Sequence, residues 1–169
     1  MAIAGIIKTI LSNLPVLFFI VAILSTIAKV RRGRLGRRPV SVSTTLWAEL
    51  VFYHIGFSLI WAGVFHAFFQ TIAAPNIGWQ PSPFEYELGW LEIAIGITAL
   101  LSRGRGRAWR MAVTIPFVIF MLAAAAQHID QIVKLHNYAP GNAGIGMLWF
   151  GDIFSPLFIA GTALLSRDG

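Results

Sequence analysis

The sequence predicts an all-α integral membrane protein with five transmembrane helices, its N-terminus outside and its C-terminus cytoplasmic. Three observations carry this. The 169 residues are 57% hydrophobic and only 12% charged, with a mean hydropathy of +0.73, too apolar for a soluble domain of that size. Five apolar stretches approach the roughly 20 residues that a bilayer-spanning helix needs. Eleven of the thirteen Lys and Arg residues lie in Lys29–Arg38, in Arg103–Arg110 and at Arg167, on one side of the five-segment pattern. Short Lys/Arg-rich loops stay in the cytoplasm, so this asymmetry also sets the orientation.

The helices are expected at about 10–30, 45–72, 84–101, 109–132 and 144–165, forming one membrane domain over 1–169. The first follows Lys8 and is longer than a signal-peptide apolar region, with arginines where a cleavage site would stand, so it is expected to be retained. The second is long enough to tilt or to project from the bilayer. Between it and the third, Pro75, Gly78, Pro81 and Pro83 prevent a continuous helix over 73–83. The third opens with Glu85 and Glu87, and its Gly89, Ala94 and Gly96 permit close helix contact. Pro15, Pro116 and Pro156 lie within or near helical segments, where each removes a backbone hydrogen bond and can kink the helix. Trp47 and Trp109 fall at the inner boundary and Trp79, Trp90 and Trp149 near the outer one, the positions of an interfacial aromatic belt.

A net charge of +6 and a pI near 10.5 do not imply nucleic acid, because the arginines flank apolar runs. Their expected partners are membrane lipids, with anionic headgroups at Arg31–Arg38 and Arg103–Arg110. The absence of cysteine removes disulfides, thiolate metal sites and iron–sulfur clusters. Short loops and the lack of glycosylation sequons suit a bacterial inner membrane.

Ionisable groups in a bilayer are costly, so each needs a partner or a function. By depth, most fall in the outward-facing third of the bundle. His66, Glu92, His128 and Asp152 come from four helices there and form a candidate ligand set for a divalent metal. Glu85 shares a helix face with Glu92, seven residues on, and Gln127 with Gln131 could orient ligands or a substrate. The candidate ligand-binding set is therefore His66, Glu85, Glu92, Gln127, His128, Gln131 and Asp152. The competing reading is that the two histidines hydrogen-bond these carboxylates and lock helices together. A quinone would need only a proton-exchanging His or Glu and aromatic walls, for which Phe65, Phe68, Phe69, Trp90 and Phe150 are candidates. Haem on His66 and His128 is less favoured, since it would lie close to the outer surface. Glu49, toward the cytoplasmic side, is expected to pair with inner-loop arginines; His54 stands deeper and alone, and the two do not share a face.

The run from Glu87 to Arg103, Glu-Leu-Gly-Trp-Leu-Glu-Ile-Ala-Ile-Gly-Ile-Thr-Ala-Leu-Leu-Ser-Arg, resembles the central helix of DoxX-like membrane proteins, a Glu-leading, glycine-bearing helix followed by an Arg-containing turn. Ser82-Pro-Phe-Glu-Tyr-Glu-Leu-Gly89 is similar to a Ser-Pro-Phe and acidic signature in uncharacterised small bacterial membrane families. The resemblance implies a four-helix membrane core, here with an extra helix, and association with redox enzymes that handle sulfur compounds or quinones. The cysteines of thiol-handling relatives are absent.

No hydrolase, nucleotide-binding or zinc-protease motif is present. The expected function is an accessory or quinone- or metal-binding component of a membrane redox system, as a homo-oligomer or within a larger complex. The alternatives are a small transporter or channel subunit, and a structural subunit in which the polar cluster is an interhelical lock.

Overall fold

The computed structural model describes residues 13–36 and 40–166, and among these there is no strand. The positions expected for Arg37, Arg38 and Arg167 lie outside the described residues. Four helices are long and apolar enough to cross a membrane: α1 (Leu14–Leu35), α2 (Val42–Phe68), α5 (Arg107–Leu135) and α6 (Pro140–Leu165). Between α2 and α5 lie the short α3 (Gln70–Asn76) and α4 (Pro83–Leu100). At 18 residues α4 is about 27 Å long at ~1.5 Å per residue, and it carries Glu85, Glu87 and Glu92. It therefore falls short of the other four as a span on both apolar content and length.

Local signals explain the boundaries. Pro15, Pro83 and Pro140 stand in the first turns of α1, α4 and α6, where no intrahelical N–H is needed. The Ser41 side chain accepts the Thr44 N–H at 3.4 Å to cap α2. His136, in the left-handed region at φ 53°, ends α5. Phe69 leaves helical geometry (φ −131°, ψ 40°), so the expected helix to residue 72 is broken into α2 and α3. Two helices change their winding: Leu50–Gly56 in α2 and Ile145–Phe154 in α6 are π-helical, a form associated with functional positions.

The core gathers Phe19 and Ala22 of α1, Trp47, Leu50, Val51, Ile55 and Leu59 of α2, Val113 and Phe117 of α5, and Ile159 and Ala163 of α6. Trp47 is therefore not a belt residue. It is 0% exposed, donates its indole N–H to Thr114 Oγ1 at 3.0 Å, and lies beneath the guanidinium groups of Arg107 and Arg110. Trp90 and Trp149, 47% and 58% exposed, do face outward.

The tightest packing joins α2 to α4. A Cβ on Gly63 would lie 2.5 Å from Gly89 O, one on Gly89 2.5 Å from Ala67 N, and one on Gly96 2.8 Å from Gly56 O. The two antiparallel backbones touch at Gly63–Gly89 and again at Gly56–Gly96, a contact that only glycine permits. By contrast α4 and α5 make few contacts.

Candidate functional site

The glycine seam fixes what the side chains beside it can reach. His66 stands three residues after Gly63 and Glu92 three after Gly89, and their Nδ1 and Oε2 atoms are 2.7 Å apart. Glu92 is 3% exposed. Its helix neighbours in the loosely packed gap toward α5 line a groove of about 430 Å³, formed by Leu91, Glu92, Ile95, Pro116, Ile119 and Phe120. Almost all of the lining is apolar, and Glu92 is the one ionisable residue in it. Pro116 has no N–H for the carbonyl of Ala112, and it stands where α5 borders the groove. The groove is open on one side, where Leu91 and Ile119, 55% and 65% exposed, form its rim.

Glu85 lies on the same face of α4 as Gly89, Glu92 and Gly96, all buried. Its Oε2 is inaccessible and has no hydrogen-bond partner.

A second polar group joins α5 to α6. Asn142 donates its amide to the backbone carbonyls of His128 (3.3 Å) and Asn137 (2.8 Å). Those two bonds orient the amide, leaving Oδ1 to accept from His128 Nδ1 at 2.7 Å. Nδ1 of the imidazole thus carries a proton, and Nε2 faces Asp152 Oδ2, 3.6 Å away. Asp152 is 3% exposed, its Oδ2 lacks a hydrogen bond, and the Trp79 ring lies 6.0 Å from the imidazole.

The four residues expected as one metal ligand set therefore divide into two pairs, His66–Glu92 between α2 and α4 and His128–Asp152 between α5 and α6. Among the described residues no three His, Asp or Glu side chains converge on a metal position. The reason is pairing within each helix couple: one imidazole nitrogen in each is already held by Glu92 or by Asn142. Gln127 is exposed and Gln131 half-buried, and neither hydrogen-bonds to a pair. Of the expected aromatic walls, Phe68 packs on Trp90 and Phe65 on Trp61 and Phe69. Phe150 belongs with Phe19 and His54. The groove's own aromatic residue is Phe120, which sequence reasoning missed, as it missed Asn142.

Toward the other end of the helices, Glu49 pairs with Lys29 of α1 and accepts from Ser25 Oγ at 2.6 Å, not with an inner-loop arginine. His54 Nδ1 bonds the carbonyl of Pro15 at 3.0 Å, and the ring stands edge-on to Phe19, Phe117 and Phe150. Both groups are tied to α1.

The model of a family of unknown function, DUF6790, matches residues 12–169. No curated protein matches the chain, and no solved structure does.

Proposed function

The chain belongs to the DUF6790 family, and from that premise we propose that it is a multi-pass protein of a bacterial inner membrane that binds a quinone-class lipid, as an accessory component of a membrane redox system. The observation that carries this reading is the groove between α4 and α5, apolar along its walls and bordered by Glu92, which is hydrogen-bonded to His66. A prenylated quinone has the same division, an apolar body and carbonyl oxygens that need hydrogen-bond donors able to exchange protons. The volume, about 430 Å³, lies in the range of small-molecule sites. An open apolar rim at Leu91 and Ile119 suits a ligand that arrives from lipid.

The reading takes α4 as a fifth span, its Glu92 carboxylate kept in the bilayer by His66. It also takes the arginine-bearing end as cytoplasmic. The N-terminus is then outside, and the His66–Glu92 pair faces the outer leaflet. At the cytoplasmic end Arg103 stands 3.6 Å over the Phe52 ring, Arg105 and Arg110 lie nearby in sequence, and anionic headgroups are their partners. The resemblance of Glu87–Arg103 to DoxX-like helices supports the redox setting.

Binding of a short-chain ubiquinone to protein in nanodiscs, followed by equilibrium dialysis, tests the proposal. Saturable binding that Ile119→Trp abolishes by filling the groove, and that Glu92→Leu weakens about tenfold by removing the carboxyl O–H that would donate to a quinone carbonyl, is the expected result. Binding that is absent, or indifferent to Ile119→Trp, overturns it and favours the helix-locking role of the two histidine pairs.

A further inference from the structure

The His128–Asp152 pair lies outside the groove and joins α5 to α6 at the Trp79 end of the bundle. Asn142 fixes one side of it. With the amide N–H groups committed to the carbonyls of His128 and Asn137, Oδ1 accepts from a protonated Nδ1, and Nε2 is the ring nitrogen turned to Asp152. Nε2 and Oδ2 stand 3.6 Å apart, slightly beyond hydrogen-bond reach, and Oδ2 has no other partner. Both residues are buried, at 8% and 3% exposure. Stripped of protons these two atoms are both acceptors, and a carboxylate facing an imidazole lone pair with no donor between them is costly when buried. One proton on either atom makes a donor and an acceptor of the pair. A metal ion asks for more: among the described residues no third His, Asp or Glu joins the two.

Neighbouring elements supply no second counter-ion. On α5, Asp130 pairs with Lys134 at 2.7 Å and His136 stacks on Tyr138, while α6 has no ionisable residue besides Asp152. From α2, His54 bonds the Pro15 carbonyl and His66 is held by Glu92. To the same stretch α1 presents Phe19, its Lys29 being paired with Glu49, and α3 has no ionisable residue. On α4, Glu87 is exposed and Glu85 Oε2 is unpartnered.

We infer that His128 and Asp152 form a proton-binding site that latches the π-helical stretch of α6 to α5. Binding is an acid–base equilibrium: one N–H or O–H bond forms with a proton drawn from water, and no electron is transferred. With the proton in place, Ile145–Phe154 is tied to α5 on both sides, by Asn142 just before it and by Asp152 within it. The stretch is built to yield when the proton leaves. Gly144 is extended (φ −72°, ψ 151°) and separates it from the turn Pro140–Ala143, and Gly144, Gly146 and Gly151 lower its helix propensity. After deprotonation the ring and the carboxylate have no donor between them, and of the polar ties at this end those of Asn142 remain. The direction follows from the chemistry: the latch is closed at low pH and opens as the pH rises. It is separate from the groove and does not depend on quinone binding.

The test uses full-length protein in nanodiscs without added quinone. Amide hydrogen exchange over Ile145–Phe154 is followed from about pH 5 to about pH 9 and corrected for the pH dependence of exchange itself. Wild-type protection is expected to fall at least about tenfold through a one-proton step as the pH rises. Asp152→Asn offers an amide N–H to Nε2 at every pH, and should abolish the step while protection stays high. A flat wild-type profile overturns the latch, as does a step that persists in Asp152→Asn or appears equally in α1. Should Asp152→Asn fail to fold, nitrogen NMR of labelled histidine in the wild type decides. A shift of His128 Nε2 with the same midpoint supports the site, and an Nε2 signal unchanged through the step overturns it. Loss of the step on adding a chelator would assign the pair to a metal ion and overturn the proton. Failure of ubiquinone binding would leave this profile in place, so the two readings fail separately.

Discussion

The Nδ1 atom of His66 and the Oε2 atom of Glu92 meet at 2.7 Å, each one helical turn beyond the point where Gly63 and Gly89 bring two backbones into contact. The ion-pair geometry is thus a consequence of missing side chains. With larger residues at the seam α2 and α4 would separate, and the reach from imidazole to carboxylate would be lost.

Gly89→Val is therefore expected to destabilise the protein by about 2–3 kcal/mol, since the new Cβ would stand 2.5 Å from the Ala67 backbone nitrogen, which cannot move aside alone. Gly161→Ala, where nothing lies within 4 Å, should stay within ~0.5 kcal/mol. Thermal unfolding in detergent compares the two. Equal stability of both variants would mean that the seam is not tight.

Nitrogen NMR on labelled histidine reads the tautomer of His128 directly. The wild type should show Nδ1 protonated, as the orientation of Asn142 dictates. Asn142→Ala should yield a tautomer mixture and cost about 1–3 kcal/mol, because it leaves the buried His128 and Asn137 groups without their partner. A wild-type ring protonated on Nε2 alone would contradict the hydrogen-bond network.

Lys29→Met removes the cation beside Glu49, which is 3% exposed, and leaves a buried carboxylate held by Ser25 alone. The expected loss is about 2 kcal/mol, with partial recovery in the double variant Lys29→Met, Glu49→Gln, where no charge remains to be buried. A double-mutant cycle of unfolding free energies measures this coupling, and additivity of the two changes would show that the pair does not interact.

Arg107 holds the end of α6, donating to the carbonyls of Ala163 and Ser166, each at 3.1 Å, and to Ser166 Oγ. The guanidinium makes these bonds while lying over the Trp47 ring, and the compact ammonium of lysine cannot keep both contacts. Arg107→Lys should lower hydrogen-exchange protection in the last turn of α6 by roughly fivefold to tenfold, about 1 kcal/mol, while leaving α1 unaffected. Unchanged protection would assign the cap to other groups.

The helices were legible because apolar length and terminal signals are local. Proline at the starts of α1, α4 and α6 is read without any tertiary information. Gly89 and Gly96 were also legible as close-contact residues, although their partners Gly63 and Gly56 were not. What depth along a helix cannot show is rotation about its axis. His66, Glu92, His128 and Asp152 share a level, and level alone suggested one cluster, whereas facing direction splits them into two pairs. The same limit hid Trp47, placed by depth at the interface and by rotation in the core. Asn142 escaped notice because a loop amide acquires its role only when α5 and α6 dock.

The wide winding at Leu50–Gly56 carries a consequence for sequence length. A π turn takes up more residues per revolution than an α turn, so straightening this stretch would rotate the following part of α2, the part that bears Gly63 and His66, by the order of 100°. The angular phase between the two halves of α2 is then stored in how many residues the segment contains, with no particular side chain responsible. A one-residue deletion there would let the stretch rewind as a plain α-helix and keep the His66–Glu92 pair, nearly three turns away, in phase, whereas the same deletion in the α-helical part between Phe57 and His66 would turn the imidazole away from its partner.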